Sequence, residues 1–306
     1  MKKTIKAPLK FKSQAEASAF VLACEEDFEK RLNDTITKME KLSALRFITL
    51  SGPTCSGKTT AAKKIISEFA KIGRAVNVIS IDDFYYDKDI LHKKSALKGD
   101  VEIDYDSADT IDIDELGVFI EKIEHADELL CPIFDFNSGC RTGYRKIVCG
   151  ENDVFIFEGI QALYPEITSI LDRYGYCSVH ISPQSSIELG GEIISPNELR
   201  LLRRLVRDRN FRSTSAEFTF KIWDSVRANE EKNIFPYADA CTFYIDSTFA
   251  YEINILKPFL LQTLRELEQV SLYAGEASAI LERISEVEEI STALLPRDSL
   301  YFEFVY

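Results

Sequence analysis

Histidine, methionine and tryptophan are the scarce residues of this chain, at three, two and one copies in 306. With so few imidazoles, and with no Cys-x-x-Cys pair among seven scattered cysteines, no zinc-type spacing can be drawn. The thiols read as reduced side chains of a cytoplasmic protein. A positive charge balance is missing too: 50 acidic against 37 basic residues leave a net −13. That excludes a general nucleic-acid surface, because nothing is there to neutralise a phosphate backbone. Small anions need only a local basic cluster and stay allowed. No apolar run approaches the length that spans a bilayer. The basic opening Met1-Lys2-Lys3 is not followed by an apolar segment, so no membrane association and no secretory signal are expected. Internal repeats and low-complexity linkers are also lacking, while a hydrophobic fraction of 45% supports a sizeable core.

Against these absences stands one complete motif. Ser51-Gly52-Pro53-Thr54-Cys55-Ser56-Gly57-Lys58-Thr59-Thr60 fits G-x-x-x-x-G-K-[ST] at every fixed position. The run before it, Phe47-Ile48-Thr49-Leu50, reads as a buried strand, and Ala61 to Ala70 reads as a helix stopped by Gly73. A strand and a helix on either side are what such a loop needs. Its glycines let the backbone wrap phosphates, and successive N–H groups with the positive end of the helix face them. The expected ATP contacts are Gly52, Thr54, Cys55, Ser56, Gly57, Lys58, Thr59 and Thr60. Lys58 would reach the β- and γ-phosphates, and the Thr59 hydroxyl would take one position on Mg²⁺. Cys55 lies beside Lys58 and a helix N-terminus, which favour a thiolate; the simpler reading is a small residue that fits the loop.

Residues 1–12 read as a loose arm and 13–42 as one amphipathic helix with Phe20, Cys24, Phe28, Leu32 and Ile36 on a face. Strands are predicted at Ala75–Ile81, Asp153–Phe157, Tyr176–Ile181 and Ala240–Ile245, with a hairpin formed by Leu129–Phe136 and Thr142–Val148. Helices are predicted near 111–125, 196–210, 214–230, 251–270 and 275–288, followed by a short apolar tail from Tyr301 to Tyr306. Between Gly99 and Glu115 the chain is strongly acidic, a stretch expected to be solvated or to cap the next helix. Strands alternating with helices predict an α/β fold with a mostly parallel sheet in three layers. The organisation expected is an N-terminal helical extension (1–44), a P-loop core (45–260) and a C-terminal helical segment (261–306).

Phosphoryl transfer needs a phosphate cradle, Mg²⁺, positive charge on the migrating group and a partner for the acceptor's proton. In an open parallel sheet these parts gather at the carboxyl ends of strands. Asp82 and Glu158 each follow a buried strand. Glu158 is placed to hold Mg²⁺, and Asp82 to take a proton from a hydroxyl. Positive charge comes from Arg200, Arg203, Arg204, Arg207, Arg209 and Arg212, the set at 200, 203, 204 and 207 sharing one helical face. Such a helix over the phosphates would act as a lid. Pairing with the acidic stretch 100–115 is the duller alternative.

Six segments occur together in the order seen in uridine kinases and the related phosphoribulokinases. They are the phosphate loop, Ser80-Ile81-Asp82-Asp83-Phe84-Tyr85, Tyr105 to Asp112, Pro132-Ile133-Phe134-Asp135-Phe136, Phe157-Glu158-Gly159-Ile160 and Arg203-Arg204-Leu205-Val206-Arg207-Asp208. The resemblance covers about 46–260, and the stretch Glu231 to Pro236 with the tail looks most like a bacterial uridine-kinase-like branch. It implies an ATP- and Mg²⁺-dependent kinase of the ribose 5′-hydroxyl of a nucleoside, with Asp82 as base and Lys58, Arg204 and Arg207 as its catalytic companions. Asp82 would also sit near Mg²⁺, Asp106 would hold the ribose hydroxyls with help from Arg204 or a neighbouring arginine, and Arg204, Arg207 and Arg212 would contact phosphates. The hairpin would cover the base, with Tyr85, Phe134 and Phe136 against the acceptor and Arg141 near the pocket mouth. In pyrimidine nucleoside kinases a tyrosine and a histidine of this hairpin bond the base; Phe134 and Gly139 stand at the corresponding positions. Ser213 follows Arg212 where a glycine is usual.

Other readings stay open. One is a sugar or sugar-phosphate kinase of the phosphoribulokinase type, and another is a nucleotide-binding regulatory protein without catalysis. A GTPase is disfavoured, since no N-K-x-D element is present. The acceptor is expected to be a small molecule, and the terminal helical segments are candidate contacts for a homo-oligomer.

Overall fold

The structure, a computed structural model, describes residues 3–42, 44–98, 103, 105–267 and 271–305. Its strands in chain order are β1 (Thr4–Ala7), β2 (Phe47–Ser51), β3 (Val76–Ser80), β4 (Glu128–Asp135) and β5 (Cys140–Val148). After these come β6 (Val154–Glu158), β7 (Tyr176–Ser182), β8 (Ser186–Leu189), β9 (Glu192–Ile194) and β10 (Phe243–Asp246). The helices begin with α1 (Gln14–Glu40), α2 (Lys58–Lys71), α3 (Lys88–Lys98), α4 (Ile113–Ile123) and α5 (Pro165–Leu171). They continue with α6 (Pro196–Arg212), α7 (Ala216–Asn233), α8 (Phe235–Ala238), α9 (Glu252–Arg265) and α10 (Ala274–Ile284).

Among the described residues the main sheet is wholly parallel, in the order β10-β7-β2-β6-β3. Every residue of β2 is buried, as expected of a central strand covered on both faces. The pleat sends alternate side chains to opposite layers. Ile48, Leu50, Val154 and Ile156 join the core under α1, α2, α6, α9 and α10. Phe47, Phe155 and Phe157 join a second core under α4, α5 and the β4–β5 hairpin. The predicted three-layer α/β architecture is therefore present. No described helix is long and apolar enough to cross a membrane.

Helix α1 starts at Ser13, whose side chain accepts the Glu16 N–H, and buries Val21, Phe28, Leu32, Ile36 and Met39 in the first core. Asp112 caps α4 by accepting the Glu115 N–H, the role expected at the end of the acidic stretch. Asp100, Glu102 and Asp104 of that stretch lie outside the described residues, as does Tyr306.

The loose-arm expectation for residues 1–12 is corrected. Thr4–Ala7 pairs in parallel with Ser186–Leu189, and β8 turns back onto β9, forming a small separate sheet. Four residues with half-buried alternation carry too weak a pattern to be read alone, and their partner lies about 180 residues away. The apolar tail is a 3₁₀ turn over Leu300–Glu303, and both Leu300 and Tyr301 are buried.

Candidate active site

Sheet order decides what meets. Strand β6 lies between β2 and β3, with Glu158 opposite Leu50 on one side and Ser80 on the other. The loop after β2, the turn after β3 and the end of β6 therefore converge at one carboxyl edge. The loop is tightly built. A Cβ on Gly52 would come within 2.2 Å of the Ile181 carbonyl oxygen, and Gly57 holds φ +96°. Cys55 also takes a left-handed φ of 58° and is buried. Lys58 folds back on the loop, its Nζ donating to the Gly52 carbonyl at 3.0 Å and standing 3.9 Å from Glu158 Oε1.

A cavity of about 450 Å³ opens above this loop. Of the sequence-expected residues, Thr54, Cys55, Ser56, Gly57, Lys58 and Thr59 line it from the loop. Asp82, Asp106, Glu158, Arg204, Arg207 and Arg212 close it from the other sides. Asp82 lies in the 3₁₀ turn Ile81–Phe84 that follows β3. Burial, and then the charge of Glu158, push its carboxyl up to about 6, partly offset by Lys58. Burial also raises Glu158, against the pull of Lys58. Asp106 is oriented by Asn229, whose Nδ2 donates to Oδ2 at 3.3 Å, and its backbone carbonyl accepts the Tyr164 hydroxyl at 2.9 Å.

The arginine face of α6 divides by depth. Arg200 and Arg203 turn inward and are almost wholly buried, Arg200 in a two-pronged pair with Glu230 and Arg203 in one with Glu252. Arg204, Arg207 and Arg212 face the cavity around the buried carboxylate of Asp208. Arg207 also donates to Thr54 Oγ1 at 3.3 Å. Burial opposes the charge on Arg207, but Cys55, Asp208 and Glu303 outweigh it and raise its pKa. One carboxylate thus holds three guanidinium groups, leaving an excess of positive charge over the loop. Among the described residues these arginines pair with Asp208, Glu230 and Glu252. Ser213 ends α6 in the left-handed region at φ 50°, the conformation that makes glycine common there.

Tyr85, Phe134, Phe136 and Arg141 are not among the lining residues of this cavity. Tyr85, Phe134 and Phe136 form an aromatic cluster, with ring centroids 5.2 to 5.8 Å apart. Phe136 is 63% exposed, while Tyr85 is buried and donates its hydroxyl to the Tyr105 carbonyl at 2.7 Å, one residue from Asp106. Arg141 ties the hairpin down by pairing with Glu115 and, at 3.6 Å, with Asp112. Gly139 offers only backbone, its carbonyl accepting the Lys88 N–H at 2.8 Å. Thr60 gives both its N–H and its hydroxyl to Glu303.

Residues 47–249 match the model of the phosphoribulokinase/uridine kinase family. The chain belongs to this family. A uridine kinase from Schizosaccharomyces pombe is 34% identical over 169 residues, 55% of this chain but 33% of that protein. The aligned part thus spans about a third of that relative's length. A uridine kinase from Ureaplasma parvum is 28% identical over 178 residues, 58% of this chain and 76% of its own. Among solved structures, a D-glycerate 3-kinase from Cryptococcus neoformans aligns at 16% identity and TM-score 0.48, over 78% of this chain and 98% of its own.

Sequence reasoning missed the carboxylates that organise the arginines. Asp208 stood within a recognised segment, so its neighbours were the available signal. Glu230, Glu252 and Glu303 lie on other elements, and nothing local marked them.

Among the described residues no three His, Cys, Asp or Glu side chains gather into a metal site by themselves. The donor set nevertheless suits Mg²⁺, which binds a few protein oxygens together with substrate phosphates. Thr59 is exposed at the cavity, and the half-buried Glu158 carboxylate there raises the proton affinity of Asp82. A hard divalent cation relieves that repulsion.

Proposed function

We propose that the chain transfers a phosphoryl group from ATP to the 5′-hydroxyl of a nucleoside. The observation that carries this is a single cavity holding the phosphate loop, the Asp82 carboxylate and the Arg204–Arg207–Arg212 cluster. Backbone N–H groups of the loop and Lys58 would cradle the donor's β- and γ-phosphates. Asp82, raised toward neutral pH by burial, would accept the acceptor hydroxyl's proton as the oxygen attacks phosphorus. Charge building on the transferring oxygens and the leaving ADP would be met by Arg204 and Arg207, already aimed by Asp208. Asp106 would hold the ribose hydroxyls. Thr59, Glu158 and Asp82 would hold Mg²⁺, whose charge would neutralise the polyphosphate.

A second acceptor class, a sugar or sugar phosphate, is favoured by one feature. At the two hairpin positions where pyrimidine nucleoside kinases bond the base, the chain offers Phe134 and the backbone of Gly139, neither of which gives a side-chain donor. Coupled ADP release, measured over a panel of nucleosides, sugars and sugar phosphates with magnesium present, tests both. Stimulation by nucleosides supports the first reading and stimulation by sugars alone the second; no stimulation with ATP still bound refutes the kinase reading.

A further inference from the structure

Glu303 lies beyond the stretch 47–249 matched by the family model, yet it lines the phosphate cavity. Its carboxylate accepts the Thr60 N–H at 2.7 Å and the Thr60 hydroxyl at 2.5 Å. Thr60 is in the first turn of α2, where free N–H groups and the helix dipole favour an anion. The helix supplies no acidic residue of its own in that turn. A segment about 240 residues away therefore brings a carboxylate to the place where a phosphate would be bound.

The remainder of the tail is fitted to the same loop. Leu300 covers Gly57 so closely that an added Cβ would lie 2.2 Å from its Cδ1. Tyr301 is buried against Arg203, and Phe304 lines the cavity with its carbonyl bound by Asn210 Nδ2 at 3.0 Å. Glu303 itself is only half-buried, at the rim of this packed turn.

We propose that Glu303 is an internal competitor for the donor's phosphates, holding the Thr60 donors until a polyphosphate displaces it. The proposal rests on the phosphoryl-transfer reading of the cavity. A carboxylate and a phosphate cannot share these donors, since both are anions needing the same two protons. Displacement needs only the Glu303 side chain and its turn to move, while Tyr301 stays anchored on Arg203. The carboxylate thus sets the donor concentration at which the loop fills.

The test is isothermal titration of ATP with magnesium into the full chain and into Glu303→Gln and Glu303→Ala, each shown to be folded by its melting curve. Both variants are expected to bind ATP about tenfold or more tightly than the parent chain. Hydrogen exchange on the unaltered protein supplies a readout free of substitutions. ATP should slow exchange over 52–60 and speed it over 300–305. Unchanged or weaker binding by both variants, or a tail whose exchange ATP does not speed, overturns the proposal and leaves the kinase reading standing. Absence of ATP binding in all three folded proteins overturns the two together.

Discussion

Replacing Arg203 with alanine should unfold much of what holds the active edge together. The guanidinium has no exposure and pairs through Nε and Nη2 with both oxygens of Glu252, at 2.9 and 2.8 Å. It also donates to the Cys55 carbonyl at 3.1 Å and the Ser247 carbonyl at 2.6 Å. Burial works against its charge, but Glu252 outweighs burial and keeps it protonated. Removing one partner of such a pair costs about 3–5 kcal/mol, because the other charge is left buried alone. Each orphaned carbonyl adds about 1–3 kcal/mol, not fully additive. Against a total stability of about 5–15 kcal/mol, the variant should be marginal. Urea unfolding followed by tryptophan fluorescence and circular dichroism gives the midpoint and slope. Arg203→Met combined with Glu252→Gln should recover most of the loss, since the uncompensated charge is then gone. An alanine variant within about 1 kcal/mol of the parent, beyond the usual effect of a surface change, would refute the assignment of Arg203 to structure.

Arg207→Ala should behave oppositely. Asp208 keeps Arg204 at 3.1 Å, so the melting temperature should barely move while turnover falls by about 10³-fold or more; a large stability loss would count against a catalytic part. Asp82→Asn should lower turnover by about 10²–10⁴-fold with ATP affinity nearly kept, and equal loss of both in kinetics and titration would remove it as the base. Gly52→Ala should abolish nucleotide binding in calorimetry, because its Cβ would meet the Ile181 backbone oxygen at 2.2 Å and Ser56 Oγ at 2.6 Å. Normal binding would show that the loop can relax. His180 is buried in β7 beside Ser51, and burial, then Lys58 and Arg200, push its pKa down to about 4. The unfolded chain takes up that proton near pH 6.5 and the folded one only near 4, so stability should fall as pH drops across this window, by up to about 3 kcal/mol. In His180→Gln, urea midpoints measured against pH should lose that slope; an unaltered slope would assign it to other groups.

Much of the site was readable because its signals are local. The phosphate loop needs its residues at fixed offsets, and Asp82 and Glu158 follow directly on apolar strands whose parallel order puts strand ends together. Periodicity also found the arginine face of α6, but a period of 3.6 gives direction and not depth. Nothing at 200 or 203 says that those two side chains go inward, since Glu230 and Glu252 lie 30 and 49 residues on. The same limit hid Glu303, 243 residues from Thr60, and the pairing of β1 with β8. Arg141 was expected at a pocket mouth from the family resemblance, whereas its place beside Glu115 depends on how the hairpin docks on α4.

The border of the family match carries a practical consequence. A clone trimmed to 47–249 would retain Arg203 and discard Glu252, Tyr301 and Phe304, the groups that surround its guanidinium. It would also lose α1, whose Phe28 rests on Phe249 with ring centroids 4.9 Å apart. Such a fragment should be recovered as aggregate, and the shortest version fit for crystallisation or screening should begin before residue 13 and run past residue 304.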